Sequence, residues 1–304
     1  MQQGPYHSGE LEAQRLAGVT SMAAKIGRGV HGEFPPSAAA FLNQARLVVV
    51  STTDDTGRPW ASVLTGEPGF VQTPDPFTAV ISAEPVAGDP LAVNLIPGHQ
   101  IGLLAPDFVT RRRMRLNGTI ESGQPGEIVI RAEQVYGNCP KYIQRRVPVA
   151  EPGAVSSAPV TGSSLSIAQR NWIRQADTFF IATANPGEGA DASHRGGQPG
   201  FIHVEGDRLR WPDYSGNMMF NTIGNVLAHP WAGVTIPDFV SGNLLLLSGR
   251  ASVDWSPSPA EVAAGAERVM QLEVDRIIEL DGALPFRAEW VEPSPFNPGL
   301  PQIR

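Results

Sequence analysis

The chain has 304 residues and a formal net charge of −7 at neutral pH, and this length predicts one large or two ordinary domains. The negative balance gives no electrostatic attraction to nucleic acid or to an anionic lipid surface. No apolar run reaches the roughly 20 residues that span a bilayer, the N-terminus shows no signal-peptide pattern, and Cys139 is the single cysteine. These features favour a cytoplasmic protein without disulfides, a nucleic-acid partner or a membrane anchor.

In chain order, the sequence predicts an N-terminal arm, a first barrel, a linker and a second barrel. Residues 1–36 are expected to form an N-terminal helical arm with a loop. Residues 37–150 begin with a short helix and the apolar strand LVVVST, and they predict a first β-barrel. Residues 151–165 are rich in Pro, Ser and Gly, which is typical of a linker. Residues 166–304 again begin with a short helix and an apolar strand, TFFIAT, and they predict a second barrel.

The second barrel repeats the first at a constant offset of 131 residues. The segment GEPGF (66–70) aligns without a gap with GQPGF (197–201), and PDFV (106–109) aligns with PDFV (237–240). Identities in separate clusters at one offset indicate an internal duplication. We therefore expect a mainly β protein with short helices, built from two tandem split β-barrels.

Two copies of one barrel in a chain can form a covalent pseudo-dimer, in which the surface that would bind a second subunit binds the other copy instead. Strands at about 8–12-residue spacing, separated by turn residues, suit a small barrel or sandwich. The alternative is two barrels on a string that share no interface. A homodimer of the whole chain is also left open.

The two copies differ in their polar residues. The second copy contains DASHRGGQPGF (191–201) and WPDYSGNMMFNTIGN (211–225). The first copy has WASVLTGEPGF at the equivalent of the former segment, so that Val63 and Leu64 replace His194 and Arg195. The difference predicts one functional site per chain, in the second copy, with the first copy as its structural partner.

Together with PDFVSGNLLLLSGRA and YGNCPKYIQRR, these segments resemble the pyridoxamine 5′-phosphate oxidase-like FMN-binding split β-barrel proteins. The resemblance covers 165–255 most clearly and reaches 41–121 through the repeat. It implies the broad branch of that group rather than the vitamin-metabolising oxidase itself. It also implies FMN at an interface between two barrels, with groups from both.

The residue types fit a phosphate-bearing ligand. A Ser-Gly-Asn turn that precedes a short helix offers N–H groups and a partial positive charge at the start of that helix. Arg195, on a strand beside two glycines, can bind phosphate through two parallel hydrogen bonds. A purely structural reading, in which Asn217 and Asn221 only cap the helix, competes with this interpretation. The candidate cofactor-binding residues are Trp60, Lys141, Ser193, His194, Arg195, Gly196, Asp213, Tyr214, Asn217, Asn221, Thr222 and Asn225.

One position departs from the family pattern. Met218 stands where the resemblance implies a basic residue after Gly-Asn, so a basic group from elsewhere has to compensate. The candidates are the alternating Arg111, Arg113 and Arg115 on one predicted strand, or the cluster of Lys141, Arg145 and Arg146. Cys139 lies beside that cluster and is interpreted as a packing residue or a neighbour of the flavin, not as a nucleophile.

The hypothesis is an FMN-binding oxidoreductase that transfers hydride between the flavin and an unknown small molecule, with His194 as the best candidate catalytic residue. Two alternatives stay open: a non-catalytic module that binds flavin or haem, and a deazaflavin (F420)-dependent reductase on the same fold. The six histidines show no metal-ligand spacing, which argues against a metal site.

Overall fold

The computed structural model describes residues 4–150 and 158–298 and shows a mainly β protein with short helices. It contains an N-terminal arm, two antiparallel sheets and a two-stranded ribbon. We call the sheet of strands β1–β7 with its helices the first unit, and the sheet of strands β10–β16 with its helices the second unit.

The described part of the N-terminal arm contains two helices and a 3-10 helix. Its helices are α1 (Ser8–Leu16) and α2 (Thr20–Ile26), followed by a short 3-10 helix at Gly27–Gly29. The side chain of His7 accepts a hydrogen bond at the start of α1, and Glu10 bonds back to the His7 N–H. This reciprocal cap satisfies N–H groups that a helix start leaves free. Residues 1–3 lie outside the described residues.

The first unit starts with α3 (Pro36–Asn43), whose proline occupies the first helical position, where no N–H is needed. Its core lies between the sheet and this helix, with Leu42, Val48 and Leu103 fully buried. The short helix α4 spans Leu91–Asn94. The strands are β1 (Leu47–Thr53), β2 (Pro59–Thr65), β3 (Val71–Asp75), β4 (Thr78–Ile81), β5 (Gln100–Asp107), β6 (Arg112–Gln124) and β7 (Glu127–Gly137).

The second unit starts with α5 (Ile167–Gln175), which Ser166 caps through its side chain. Helix α6 spans Asn221–Ala228, and α7 (Pro259–Ala263) lies in a longer connection between the last two strands. The strands are β10 (Thr178–Asn185), β11 (Gly189–Gly196), β12 (His203–Glu205), β13 (Arg208–Asp213), β14 (Trp231–Pro237), β15 (Leu244–Asp254) and β16 (Arg268–Leu280).

The two sheets have the same strand order, β2-β1-β5-β6-β7-β4-β3 in the first unit and β11-β10-β14-β15-β16-β13-β12 in the second. The long hairpins also carry a bulge at the equivalent place, before Gly118 and before Gly249. A Cβ on either glycine would lie within about 2 Å of a carbonyl oxygen of the neighbouring strand, so both bulges require glycine. The predicted fold class, two tandem split β-barrels related by an offset of 131, is confirmed.

The two units pack against each other through pseudo-equivalent contacts. A Cβ on Gly102 would lie 2.4 Å from the carbonyl oxygen of Ala190, and a Cβ on Gly233 would lie 2.5 Å from that of Pro59. Gly102 corresponds to Gly233 at the offset of 131, and Pro59 corresponds to Ala190. The two contacts are therefore the same contact with the units exchanged, which is the pattern of a two-fold interface. The chain therefore forms the pseudo-dimer that the repeat predicted, not two separate barrels.

Three strands have no counterpart in the repeated strand order. Strand β8 (Arg145–Ala150) pairs with β17 (Phe286–Glu292) in an antiparallel ribbon, which neither pattern nor repeat had indicated. Strand β9 (Val160–Gly162) adds to β16, inside the stretch 151–165 expected to be a linker. Residues 151–157 of that stretch lie outside the described residues, and the domain boundaries stay a prediction. Within the described chain, no helix has the length and apolar character needed to cross a bilayer.

Candidate functional site

A cavity of ≈ 580 Å³ opens at the interface between the two units. The first unit lines it from β6 and from the segment after β7, and the second unit lines it from β11, from the loop before α6 and from the start of α6. Ala17 and Val19 of the N-terminal arm complete the wall. Ten predicted site residues lie here: Lys141, Ser193, His194, Arg195, Gly196, Asp213, Tyr214, Asn217, Asn221 and Thr222.

His194 lies on β11 in the interface and is buried, with 4% of its surface exposed. The Arg113 guanidinium approaches its Nδ1 at 3.0 Å. A guanidinium only donates, so Nδ1 is the acceptor and Nε2 carries the ring proton. That Nε2 has no hydrogen-bond partner among the described residues. The edges of Phe108 and Phe180 lie against the ring, which leaves one buried N–H donor without a partner beside the cavity.

The surroundings keep His194 neutral. Burial and the nearby guanidinium of Arg113 hold the pKa of the imidazole well below its usual range, and Arg195 and Arg146 act in the same direction. A histidine in this state donates one hydrogen bond and accepts another, but it does not carry the second ring proton and its positive charge at neutral pH.

Cations without strong partners surround the cavity. Among the described residues, the side chain of Arg113 hydrogen-bonds only to His194, and its Nε has no partner. Burial, and then the positive charge of the neighbouring Arg195, lower the pKa of Arg113 to about 10. Arg195 donates to the carbonyl of His194 at 3.1 Å and lies 4.0 Å from Asp213. Lys141 forms no ion pair with a described residue and lies over the ring of Phe296. Three cations are thus available to an anion in the cavity.

Two other arginines of the cavity wall are already neutralised. Arg268 donates to Asp213 at 3.0 Å and also binds Glu267. Arg115, which is 2% exposed, donates to Asp191 at 2.6 Å across the interface between the units. These pairs hold the second unit's β11 and β16 in place, so they position the wall rather than offer charge to a ligand.

The loop before α6 holds an unusual backbone. Met218 and Phe220 have φ values of 60° and 67°, in the left-handed region that disfavours residues with a Cβ, and Tyr142 across the cavity has φ 67°. Asn217 accepts the N–H of Met219 and donates to Asn138 at 2.7 Å, and Tyr142 donates to the carbonyl of Ser215 at 2.9 Å. Strained residues held by such contacts concentrate at ligand sites.

The start of α6 faces the same cavity and has no side-chain cap. In the first unit, by contrast, the carboxylate of Asp89 accepts the N–H of Leu91 at 2.8 Å at the start of α4. The second unit therefore leaves the N-terminus of its helix available, where an anion is favoured. Tyr142 and Tyr214, with ring centroids 5.1 Å apart, add an aromatic surface to the opening.

Two predicted residues lie elsewhere. Trp60 is buried in the apolar contact between the units and donates from Nε1 to Asp54 at 3.1 Å. Asn225 is fully buried and donates to Thr183 at 3.1 Å, a contact that Asn94 and Thr52 repeat in the first unit at 3.4 Å. The structure does not bring either residue to the cavity, and the repeated pair gives Asn225 a structural role.

Three basic residues in the cavity wall could compensate for Met218. Arg113 and Arg115 of the predicted arginine strand and Lys141 of the second cluster line the cavity. Arg111 instead donates to the carbonyl of Ile143, and Arg146 binds Asp177 at 2.6 Å. Cys139 also lines the cavity with an unpaired thiol.

Sequence reasoning missed several wall residues. Asn138 and Tyr142 lie in the YGNCPKYIQRR segment, whose resemblance had already pointed to this region. Arg268, Ala17 and Val19 gave no local signal. Across residues 4–150 and 158–298, no group of three His, Cys, Asp or Glu side chains is arranged to bind a metal.

No family model and no curated protein matches this sequence. The solved structures similar to it include HupZ of Group A Streptococcus, with 12% identity over 37% of this chain and 91% of that chain and a TM-score of 0.31. They also include an FAD-binding protein of Mesorhizobium loti, with 12% identity over 41% of this chain and 99% of that chain and a TM-score of 0.29.

A pyridoxamine 5′-phosphate oxidase-related, FMN-binding protein of Nostoc punctiforme is a third neighbour, with 12% identity over 41% of this chain and 92% of that chain and a TM-score of 0.24. The neighbours thus include proteins of the kind that the sequence resembles. At these scores the comparisons add nothing about the site, and its chemistry rests on the residues described above.

Proposed function

We propose that the cavity between the units binds FMN, and that the protein is a flavin-dependent oxidoreductase or a flavin carrier. The observation that carries the proposal is a set of buried donors in the wall that have no hydrogen-bond partner among the described residues: Arg113 Nε, Arg115 Nε and His194 Nε2. A buried donor left unpaired costs about 1–3 kcal/mol, and an anionic ligand rich in acceptors removes that cost. The volume of ≈ 580 Å³ also suits a cofactor.

The residues present fit such a group. Arg113, Arg195 and Lys141 would hold the phosphate, together with the uncapped start of α6. Tyr142, Tyr214 and Phe220 offer flat apolar surface to an aromatic ring system. Since Arg113 belongs to the first unit and Arg195 to the second, the site requires both units.

When bound, a flavin supplies hydride transfer at its ring, and the protein supplies binding, orientation and exclusion of water. His194 fits the part of a neutral N–H donor to the ligand, because Arg113 occupies its Nδ1 and its pKa is lowered. A general base that takes up a proton at neutral pH would need a higher pKa, so we assign His194 to cofactor orientation rather than to proton transfer.

The two other candidate functions use the same cavity. An F420-dependent reductase would bind a deazaflavin that also bears phosphate, and a carrier would bind flavin or haem without turnover. Titration of the protein with FMN, F420 and haem, followed by absorbance, separates the ligands. Anaerobic reduction of the bound flavin by NAD(P)H then separates the enzyme from the carrier.

The phosphate contact is tested by comparing FMN with riboflavin, which lacks the phosphate. Arg195→Ala and Arg113→Leu should each weaken FMN binding by about 1.5–3 kcal/mol, with little effect on riboflavin. Arg112→Leu is the matched control, because Arg112 is the next residue on β6 and points away from the cavity to Thr110 and Phe41. Saturable FMN binding with unchanged affinity in both variants would refute the phosphate clamp, and no FMN binding at all would refute the proposal.

A further inference from the structure

A second cavity, of ≈ 350 Å³, lies beneath the first residues of the described chain and shares no lining residue with the first cavity. Both units and the arm contribute to it. Its acidic lining residues are Glu10, Glu133, Glu188 and Asp191, and neither lysine nor arginine lines it. The cavity therefore has the opposite charge to the FMN candidate site.

The deepest carboxyl groups of this cavity are Glu10 and Asp191, which are 3% and 4% exposed. They belong to a closed ring of hydrogen bonds that joins the arm to both units. In that ring, Arg115 binds Asp191, Asn225 binds Asp191 and His7, Glu10 binds His7 and Asn221, and Asn221 binds Arg115. Two carboxyl groups thus share one guanidinium, so the ring lacks one positive charge unless a proton supplies it.

The missing positive charge affects the pKa of the Glu10 carboxyl group. Burial first, and then the neighbouring Asp191, raise the pKa of Glu10 to about 8. The titratable and charged groups that face it are Asp191 on β11, Arg115 on β6 and Tyr136 on β7, together with Tyr6 and His7 on its own segment. At neutral pH the carboxyl of Glu10 therefore holds a proton in the place where a cation would otherwise balance the charge.

A second and independent observation comes from Asn117, which lines the cavity and is 7% exposed. Its amide nitrogen donates to Asp191 at 2.7 Å and to Gln134 at 3.3 Å, and these bonds fix the orientation of the amide. Its Oδ1 has no hydrogen-bond partner among the described residues. The cavity wall thus contains a buried acceptor that an N–H donor of a ligand would satisfy.

We propose that this cavity binds a small organic cation with a primary ammonium group at each end. One ammonium group, with three N–H donors, matches Asn117 Oδ1 and the carboxylates of Asp191 and Glu10. Glu133 and Glu188 at the exposed rim attract the other group. An organic cation fits better than a metal ion, because no metal-binding cluster is arranged here among the described residues. The inference does not rest on the proposed flavin site.

Isothermal titration calorimetry of the full chain with putrescine, a diamine, tests the proposal. The rim double variant Glu133→Gln/Glu188→Gln should bind putrescine about fivefold more weakly, since two exposed charge contacts are lost. The exposed pair Glu84→Gln/Glu127→Gln is the matched control and should bind as the wild type does. Both double variants should bind FMN as the wild type does, which separates this site from the flavin site.

The pH dependence supplies a second readout that needs no variant. Because putrescine must displace the proton of Glu10, its affinity should rise about fivefold from pH 7 to pH 8, while its amines stay protonated. Absence of saturable putrescine binding at millimolar concentration, equal affinity of the rim and control variants, or tighter binding of Mg²⁺ than of putrescine would each overturn the proposal.

Discussion

The two sides of the contact between the units are equivalent in backbone and opposite in chemistry. On one side, Arg113, Arg115 and His194 line a cavity with unpaired donors. On the other side, the residues at the equivalent positions are Leu244, Leu246 and Val63, and they are buried in a continuous apolar cluster. One β-sheet framework therefore supports both a polar cavity and a packed core, and the side chains alone decide between them.

The two units also differ at the start of their equivalent helices, α4 and α6. Asp89 supplies a carboxylate to the start of α4 within the first unit. No described side chain does so at α6, where the flanking residues take left-handed conformations instead. The equivalent helix starts therefore differ in whether a carboxylate of the same unit satisfies them.

The largest expected effect on stability comes from replacing Arg115, on the polar side of the contact, with the leucine found at the equivalent position on the apolar side. Arg115→Leu leaves Asp191 buried without its cation, and we expect a loss of about 3–5 kcal/mol in the free energy of unfolding, measured by denaturant titration. Leu246→Met at the equivalent apolar position is the control and should cost less than about 1.5 kcal/mol. A loss below about 1 kcal/mol for Arg115→Leu would show that the ion pair does not hold the interface.

The next effect tests whether the interface is equally tight on both sides. Gly102→Ala and Gly233→Ala each place a Cβ within 2.5 Å of a backbone carbonyl group of the other unit. We expect each variant to lose about 1–3 kcal/mol of unfolding free energy, and the two losses to be similar. Markedly unequal losses in the same denaturant titration would argue against the two-fold equivalence of these contacts.

Per pH unit, a smaller effect is expected in the pH dependence of stability. The folded state raises the pKa of Glu10 from 4.5 to about 8, so the folded state holds a proton that the unfolded state releases. Stability should therefore be greatest at low pH and fall as pH rises from about 4.5 to 8, by up to about 1.4 kcal/mol per pH unit. Glu10→Gln should flatten this slope in unfolding measurements at pH 6, 7 and 8, and an unchanged slope would assign it to another group.

The smallest effect concerns Trp60, which the sequence had placed among the cofactor-binding residues. Trp60→Phe removes the hydrogen bond to Asp54 and should cost about 0.5–1.5 kcal/mol of stability. The affinity of this variant for FMN should stay within about twofold of the wild type, or about 0.4 kcal/mol, because Trp60 lies on the apolar side. Riboflavin is titrated in the same way for comparison. A larger loss of FMN affinity would indicate that Trp60 contributes to the cofactor site after all.

The repeat allowed much of the fold to be predicted from the sequence. Identities such as those of Gly118 with Gly249 mark positions that the backbone requires, and such requirements survive divergence. The ribbon of β8 and β17 was not predictable in this way, because its strands are short, lie far apart in the sequence and have no counterpart in the repeat.

The sequence predicted candidate site residues where several polar residues are neighbours in the chain, as in Ser193–Gly196. The site was not predictable where the chemistry depends on contacts across long separations, such as Glu10 with Asn221 or Arg113 with His194. A signal did exist for Asn225: both it and Thr183 are identical at the offset of 131 to Asn94 and Thr52, which marks a contact needed in both units.

The crossing glycine contacts have a further consequence, because the two units are joined in one chain. In a homodimer, every substitution occurs in both subunits, and a site between subunits is lost when dilution separates them. Here each side of the contact can change by its own substitution, and the second unit always finds its partner at a local concentration set by the connecting chain. Ligand binding in the interface cavity should accordingly be independent of protein concentration.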